Sequence, residues 1–591
     1  MTYRAPLVDI GFALKYGASL GPAMEQGLFG ELGIDDIDAI VAEAGRFAGE
    51  VIAPLNRIGD TYGTPFKDGV VTTAPGWKEA YRAWRLAGWN AVTAPANWGG
   101  QALPQIVNAA CTEMWHAASV GFANGPMLTM AAIDALHAHG SDTLKRTYLE
   151  KLVSGEWMGT MQLTEPQAGS DVGALRTRAE RAGDGTYRLK GQKIFITYGE
   201  HDFTDNIIHF VLARLPDAPP GTRGISLFLV PKFLLRTDGS PGARNDIRAH
   251  SVEHKLGIHG SPTCTMILGD NGGATGFLIG EENAGMACMF TMMNRARLAV
   301  GLQGVGLAEC ATQLAIGYAR ERRQGRTTGM KSSETAPIAA HPDVRRMLLS
   351  MRALTQAARV ICYSTAMALD RSERSADAAA RNIAHQQASL LTPVAKAFST
   401  DIANEVASLG IQVHGGMGYI EETGAAQLFR DARIAPIYEG TNGIQAIDLV
   451  TRKLQLADGA AVTAHCDELR GIVRTLDASN DPAFGWSAVR LGDAVESLSR
   501  ATSWLLARLD KEPDTALAGA SPYLRLFGIT TGGCLLAKQA LAALRLGGDT
   551  AARLAVTRFF AENFAVQAGG LERTVVECAP GILAADAVFA S

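Results

Sequence analysis

Cysteine is sparse in this 591-residue chain: eight residues, at 111, 264, 288, 310, 362, 466, 534 and 578, with no CxxC pair. That spacing argues against a disulfide framework or a zinc ribbon and leaves buried free thiols as the bland reading. An excess of one charge is missing too. The 55 Lys and Arg against 59 Asp and Glu give a formal charge of -4, which offers no field for nucleic acid or an anionic membrane. No uninterrupted apolar run reaches the ~18 to 20 residues that span a bilayer. The opening MTYRAPLVDIGFALKYG holds no apolar signal core and no cleavage pattern, so a cytoplasmic location is expected. Low-complexity tracts and internal repeats are also lacking.

What is present is the balance of a globular chain, 47% apolar and 19% charged, too long for a single core. Residues 1–33 read as an N-terminal extension with a short amphipathic stretch at Ile10, Phe12, Ala13 and Leu14. Residues 34–157 read as a helical domain, with helices expected from Asp35 through Phe47, over Trp77 to Trp89, over Ile106 to Ala118 and over Met127 to His139. From 158 to 283 the texture becomes short β-rich runs between Gly, Asp and Pro turns. The runs are Tyr187 to Lys190, Lys193 to Thr197, Ile207 to Leu212, Ile225 to Val230 and Thr265 to Leu268, which suit a small barrel or sandwich. Residues 284–456 return to helix, with long runs over Arg297 to Arg323, Val344 to Leu369 and around Leu390 to Leu409. With a helix after Thr441 these predict a four-helix bundle. Residues 457–591 read as an alanine-rich helical extension suited to packing and oligomer contact. The fold class is mainly α with a central β-domain.

Several stretches could carry chemistry, each with a plain alternative. Glu439 stands between Tyr438 and Gly440, just before Thr441 and Asn442, candidate caps of the next helix. Partial burial there would raise its pKa toward that of a base working near neutrality; a surface or capping glutamate is the alternative. Met161 to Asp171, MQLTEPQAGSD, offers hydroxyls at Thr164 and Ser170 and a close backbone approach at Gly169, or is a capped Pro/Gly turn. Lys193 to Thr197 could be a plain strand, the stretch Arg320 to Arg323 a basic helix end that satisfies carbonyls and the macrodipole, and Gly415-Gly416 a helix C-cap. Two strings mislead. HSVEH at 250–254 fits a zinc-peptidase pattern but sits in a β-rich setting, where both histidines would not share a helical face. Gly301 to Gly306 is glycine-rich but lies inside a helix with no strand before it, so close helix packing is the better account.

LTEPQAGSD, KIFIT, the Met293 to Arg297 turn, YARERRQG, QVHGGMG and IYEGTNGIQ occur in an order that resembles the acyl-CoA dehydrogenase family over about residues 35 to 455. The chain's length is similar to that of the longer subgroup, which includes 3-methylmercaptopropionyl-CoA dehydrogenases. The resemblance implies FAD as cofactor, an acyl-CoA substrate, an electron-transferring flavoprotein as acceptor, a homodimer, no metal, and Glu439 as the base. It places Met161, Leu163, Thr164, Phe195, Thr197 and Thr441 at the flavin, and Arg322, Gln324, Gln412, Gly415 and Gly416 at the FAD of the facing subunit. Ser170, Asn294, Arg297 and Gly440 fall to the substrate. Some relatives carry the base at the position of Ala296, which leaves Glu439 alone here. Phe195 stands where tryptophan is common, Arg326 follows Gly325 in place of the usual phenylalanine, and Gly443 replaces a flavin-contacting side chain. The implied reaction is α,β-dehydrogenation of a thioester, of 3-methylmercaptopropionyl-CoA or a fatty acyl-CoA. An acyl-CoA oxidase or a non-catalytic DNA-binding flavoprotein would be the departures; the latter needs a basic surface that the net charge does not favour.

Overall fold

The computed structural model describes residues 3–328, 331, 334–547 and 550–590. Helix α1 (Ile34–Phe47) starts where the Asp36 carboxylate accepts the Gly33 N–H at 2.9 Å, and it buries Ile37, Val41, Ala44 and Phe47 along one stripe. Helices α2 (Gln105–Ala118) and α3 (Val120–His139) are buried almost all round. The first turn of α2 is capped from a distance: Asp370 accepts the N–H groups of Gln105 and Ile106 at 2.7 and 2.8 Å. A helix N-terminus thus ties this domain to the bundle.

The middle domain has eight main strands: β1 (Met158–Gln162), β2 (Arg178–Arg181), β3 (Tyr187–Thr197), β4 (Ile207–Arg214), β5 (Ile225–Pro231), β6 (Ile247–Val252), β7 (Thr263–Leu268) and β8 (Ala274–Ile279). The order is β6-β7-β3-β8-β5-β4-β1, and β2 pairs with both β3 and β4. That second pairing closes β3-β8-β5-β4-β2 into a ring, so the barrel is the alternative realised. Strands β1, β2, β6 and β8 had no clear signal. MGTMQ is buried on both faces and so does not alternate, and RAER is too polar to read as a strand.

Three long helices, α4 (Gly285–Glu321), α5 (Pro342–Arg374) and α6 (Ala378–His414), form the core of the next domain. Helix α4 begins earlier than its charged turn suggested. Asn294 and Arg297 lie about three turns in, not at its start, and Arg322 caps the other end. A Cβ at Gly301 or Gly304 would meet the carbonyl of Ala395 at 2.6 Å or of Ser399 at 2.5 Å, so these glycines let α4 and α6 touch backbone to backbone. Helices α7 (Ala425–Ala432) and α8 (Asn442–Asp448) are short, and α8 runs on as a π-turn from Leu449 to Lys453.

The C-terminal region holds α9 (Ala460–Ala478), α10 (Ser487–Arg508), α11 (Ala520–Leu546), α12 (Ala551–Asn563) and α13 (Ala568–Glu577). Helix α11 is its axis and docks on the bundle, where a Cβ at Gly528 would strike the Phe398 ring at 2.3 Å. Arg553 of α12 lies over Phe12 at 3.7 Å, which pins the N-terminal segment. By length and composition α4 and α11 could cross a membrane, but their apolar windows are 72% and 94% buried against other helices.

Candidate active site

The turn that carries Glu439 is held in a conformation that side chains other than glycine disfavour. Glu439 has φ +56° and Gly440 φ +85°, at a typical cost of ~1 to 3 kcal/mol that surrounding contacts must offset. Those contacts come from three directions. Lys396, wholly buried on α6, donates to the Gly440 carbonyl and to Asn442 Oδ1, each at 2.8 Å. Asn442 in turn donates to Asp401 Oδ1 at 2.7 Å and to Thr400 Oγ1 at 3.0 Å. Gln445 Nε2 reaches the Glu439 and Gly440 carbonyls at 3.3 Å, and the Tyr438 hydroxyl donates to Gln303 of α4. Thr441 caps α8, its hydroxyl accepting the Ile444 N–H at 3.2 Å. Among the described residues the backbone N–H groups of Glu439 and Gly440 have no partner.

The electrostatics suit a base. Burial pushes the Glu439 carboxyl up to about 7, against the opposing pull of Lys396 and Arg297. Burial likewise draws Lys396 down to about 7, with Glu439 and Asp401 working against the shift. Arg297 is buried beside Asp448 at 3.4 Å, and its Nε has no partner among the described residues. Ala296, one residue earlier, is buried and offers no acid. Asn294 is exposed.

Lys396 was not among the sequence candidates. A signal existed: Lys396, Thr400 and Asn404 form a polar stripe at four-residue spacing among buried apolar neighbours such as Val394, Phe398 and Ile402, and Asn404 reaches the Ala432 carbonyl at 3.2 Å.

A second pair missed in the sequence joins the two strand segments of the site. Glu165 and Lys193, 3% and 0% exposed, pair at 2.8 Å. Lys193 also donates to the Leu163 carbonyl at 3.0 Å, and the Ile194 N–H bonds the Thr164 carbonyl at 2.9 Å. Burial disfavours the Glu165 charge, but Lys193 and the donors Thr177 and Arg176 hold its carboxyl down to about 2. The result fixes Met161, Leu163 and Thr164 beside Phe195 and Thr197. Phe195 is thrown outward by an irregularity in the β3–β7 ladder: it has φ +59° and is 59% exposed, a flat aromatic face available to a partner ring. Ser170 is exposed on the loop after β1.

The remaining candidates lie elsewhere. Arg322, Gln324, Gln412, Gly415 and Gly416 are all exposed, at the far ends of α4 and α6. Along α4, Arg322 is about 37 Å from Arg297 at 1.5 Å per residue. One chain does not bring the two groups together. Met417, Tyr419 and Ile420, 49%, 84% and 45% exposed, flank the glycine turn and give that end an apolar surface.

The chain matches the acyl-CoA dehydrogenase N-terminal domain over residues 35–156, the middle domain over 160–271 and the C-terminal domain over 283–454; residues 461–586 match the acetyl-CoA dehydrogenase C-terminal like domain. It is 45% identical to the 3-methylmercaptopropionyl-CoA dehydrogenase of Ruegeria pomeroyi, over 99% of this chain and 100% of that one. The chain belongs to the acyl-CoA dehydrogenase family. A butyryl-CoA dehydrogenase of Syntrophomonas wolfei is 35% identical over 95% of each chain. Among solved structures, Caenorhabditis elegans ACDH-11 in complex with C11-CoA aligns with TM-score 0.78 and 21% identity, over 96% of this chain and 92% of that one. A Bacillus anthracis acyl-CoA dehydrogenase complexed with FAD aligns with TM-score 0.76 and 20% identity, over 93% and 89%. This is therefore an oxidoreductase with the acyl-CoA dehydrogenase fold. Its HSVEH string runs along β6 and an extended segment, so the helical geometry that a zinc-peptidase motif needs is not formed.

Proposed function

We propose that this enzyme is an FAD-dependent dehydrogenase of 3-methylmercaptopropionyl-CoA, forming methylthioacryloyl-CoA. The observation that carries the reaction is Glu439: a half-buried carboxyl near neutrality on a strained, over-determined turn, with free backbone N–H groups beside it. Glu439 takes the α-proton of the thioester. Its own N–H is placed to donate to the thioester oxygen as negative charge grows there, and such a donor is typically worth ~3 to 4 kcal/mol. Arg297 and Lys396 keep the ionised form of the base within reach.

The residues present fit FAD. Thr164 and Thr197 present half-buried hydroxyls on segments locked together by Glu165 and Lys193, and Phe195 offers an exposed ring face. When bound, the flavin supplies the acceptor for the β-hydride. Arg322, Gln324, Gln412 and the Gly415-Gly416 backbone would hold the phosphate-bearing half of FAD from a second copy of the chain, since α4 separates them from the base. The protein is then a homodimer with two shared sites, cytoplasmic, passing electrons to an electron-transferring flavoprotein.

The full-length 45% identity supports the sulfur-containing substrate, and the 35% identity to a butyryl-CoA dehydrogenase supports straight-chain acyl-CoA as the second reading. An acyl-CoA panel assayed with an artificial acceptor decides between them. The first reading needs 3-methylmercaptopropionyl-CoA to have the highest kcat/KM, and falls if butyryl-CoA or a longer straight chain exceeds it. A stable bleached flavin in air after substrate addition separates dehydrogenase from oxidase.

A further inference from the structure

The two extensions do more than pack. Where Gly17 to Ser19, α5, α6, α9 and α11 meet, they enclose a cavity of about 360 Å³, within the usual range for small-molecule sites. Its rim includes the exposed Ala380, Ile383 and Glu468, and part of its wall is apolar, with Ile361, Leu391 and Leu535 all buried. None of the residues that form the Glu439 or flavin-facing surfaces lines it.

Three polar groups on its wall are incompletely matched. Lys538 is half-buried, yet among the described residues its one hydrogen bond is to the neutral Ser19 hydroxyl at 2.7 Å. The Arg371 side chain, among the described residues, bonds only the Gln26 side chain, at 3.2 Å. Neither cation forms an ion pair among the described residues; Glu468 is the acid nearest Lys538 in effect, and it stands exposed at the mouth. The third group is His465. It is 6% exposed and stacked on Phe527 at 5.0 Å; its Nε2 meets Thr531 Oγ1 at 2.9 Å, and Nδ1 has no partner among the described residues. Thr531 can donate to Nε2 or accept from it, so Nδ1 is an unused donor in one tautomer and an unused acceptor in the other. An apolar wall, two cations without an ion-pair partner among the described residues and an unmatched imidazole nitrogen suit a guest that is both apolar and anionic.

We infer that this cavity is a second binding site, separate from the catalytic one, for an organic anion with an apolar body, its carboxylate held by Lys538 and Arg371. It exists only in chains that carry both extensions, because Ser19, His465 and Lys538 come from them.

Calorimetry on the FAD-loaded full-length protein tests this with octanoate as probe, and with octylammonium and inorganic phosphate as controls. Octanoate should bind the wild type, and Lys538→Met and Arg371→Gln should each weaken it at least ~10-fold, the size of one charge-assisted hydrogen bond. Both variants should keep the wild-type kcat/KM. Octanoate binding that is absent, or unchanged in Lys538→Met, overturns the site. Octylammonium binding as tightly overturns the role of the cations, and phosphate binding as tightly overturns the role of the apolar wall.

Discussion

The Lys396 ammonium lies 2.8 Å from the carbonyl oxygen of Gly440, the residue that follows Glu439, and bonds Asn442 on the other side of the same turn. One buried cation therefore fixes the backbone of the proposed base and bears on its charge. Lys396→Gln keeps a donor but loses the charge; Lys396→Met loses both. In each, the acid limb of the pH–rate profile should move up by about one pH unit, because an opposite charge that favours ionised Glu439 is gone. Lys396→Met should also lower kcat further than Lys396→Gln does. The other charges that bear on the pair are Arg297, Asp401 and, through Arg297, Asp448 and Arg452. A limb that stays in place in both variants would leave Lys396 a purely structural residue.

Glu439→Gln keeps size and loop geometry while removing proton affinity. Flavin should remain bound and yellow, with turnover reduced at least ~10²-fold. Stopped-flow bleaching of the flavin at saturating substrate checks this, and near wild-type bleaching would disprove the assignment.

The same carboxyl predicts a pH-dependent stability. Its folded-state pKa, about 7, lies above its ordinary value, so the folded protein holds the proton more tightly and stability falls as pH rises from about 4.5 through 7. Glu439→Gln abolishes that loss. Its Tm should exceed the wild-type Tm at pH 8 and approach it at pH 5, a trend that differential scanning fluorimetry would read directly. In the wild type, kcat/KM should rise with pH to a plateau above about 7.

Lys193→Met strands the Glu165 charge in the barrel wall, where removing one partner of a buried pair typically costs ~3 to 5 kcal/mol. A urea midpoint well below wild type is expected, with much of the loss recovered in Lys193→Met/Glu165→Gln. A double variant no better than the single one would mean that the pair is not the coupling element.

Arg322→Ala should loosen FAD by removing a charge-assisted phosphate contact worth roughly 1.5 to 3 kcal/mol, and cofactor loss should accompany dissociation of the dimer. Sedimentation with flavin absorbance measures both at once. A monomer that retains full FAD at micromolar concentration would refute the shared site.

Much of this was legible in the sequence because local chemistry determined it. Asp35 and Asp36 marked the start of α1, the glycines of α4 marked a close helix contact, and a glutamate between Tyr438 and Gly440 marked a poorly solvated acid. What stayed hidden depends on pairing across the chain. Strand β1 is buried on both faces and shows no alternation, and the ring closure rests on β2 meeting β4 at Arg178 and Arg214, which no local pattern announces. Lys193 looked like an ordinary strand residue until Glu165 stood opposite it. Lys396 sat 43 residues before Glu439, whose turn it holds, by the numbering of the chain. The opening of α4 was misplaced because its first turns, from Gly285, are apolar and lack a side-chain cap.

The length of α4 also has a genetic consequence. If each site takes Glu439 from one chain and Arg322 from the other, a chain with a dead base and a chain with a dead phosphate grip are not equivalent failures. Co-expressed, Glu439→Gln and Arg322→Ala chains form mixed dimers in which one site inherits both defects and the other inherits neither. Two inactive alleles would then complement each other, and a mixed dimer would regain close to half of the wild-type activity.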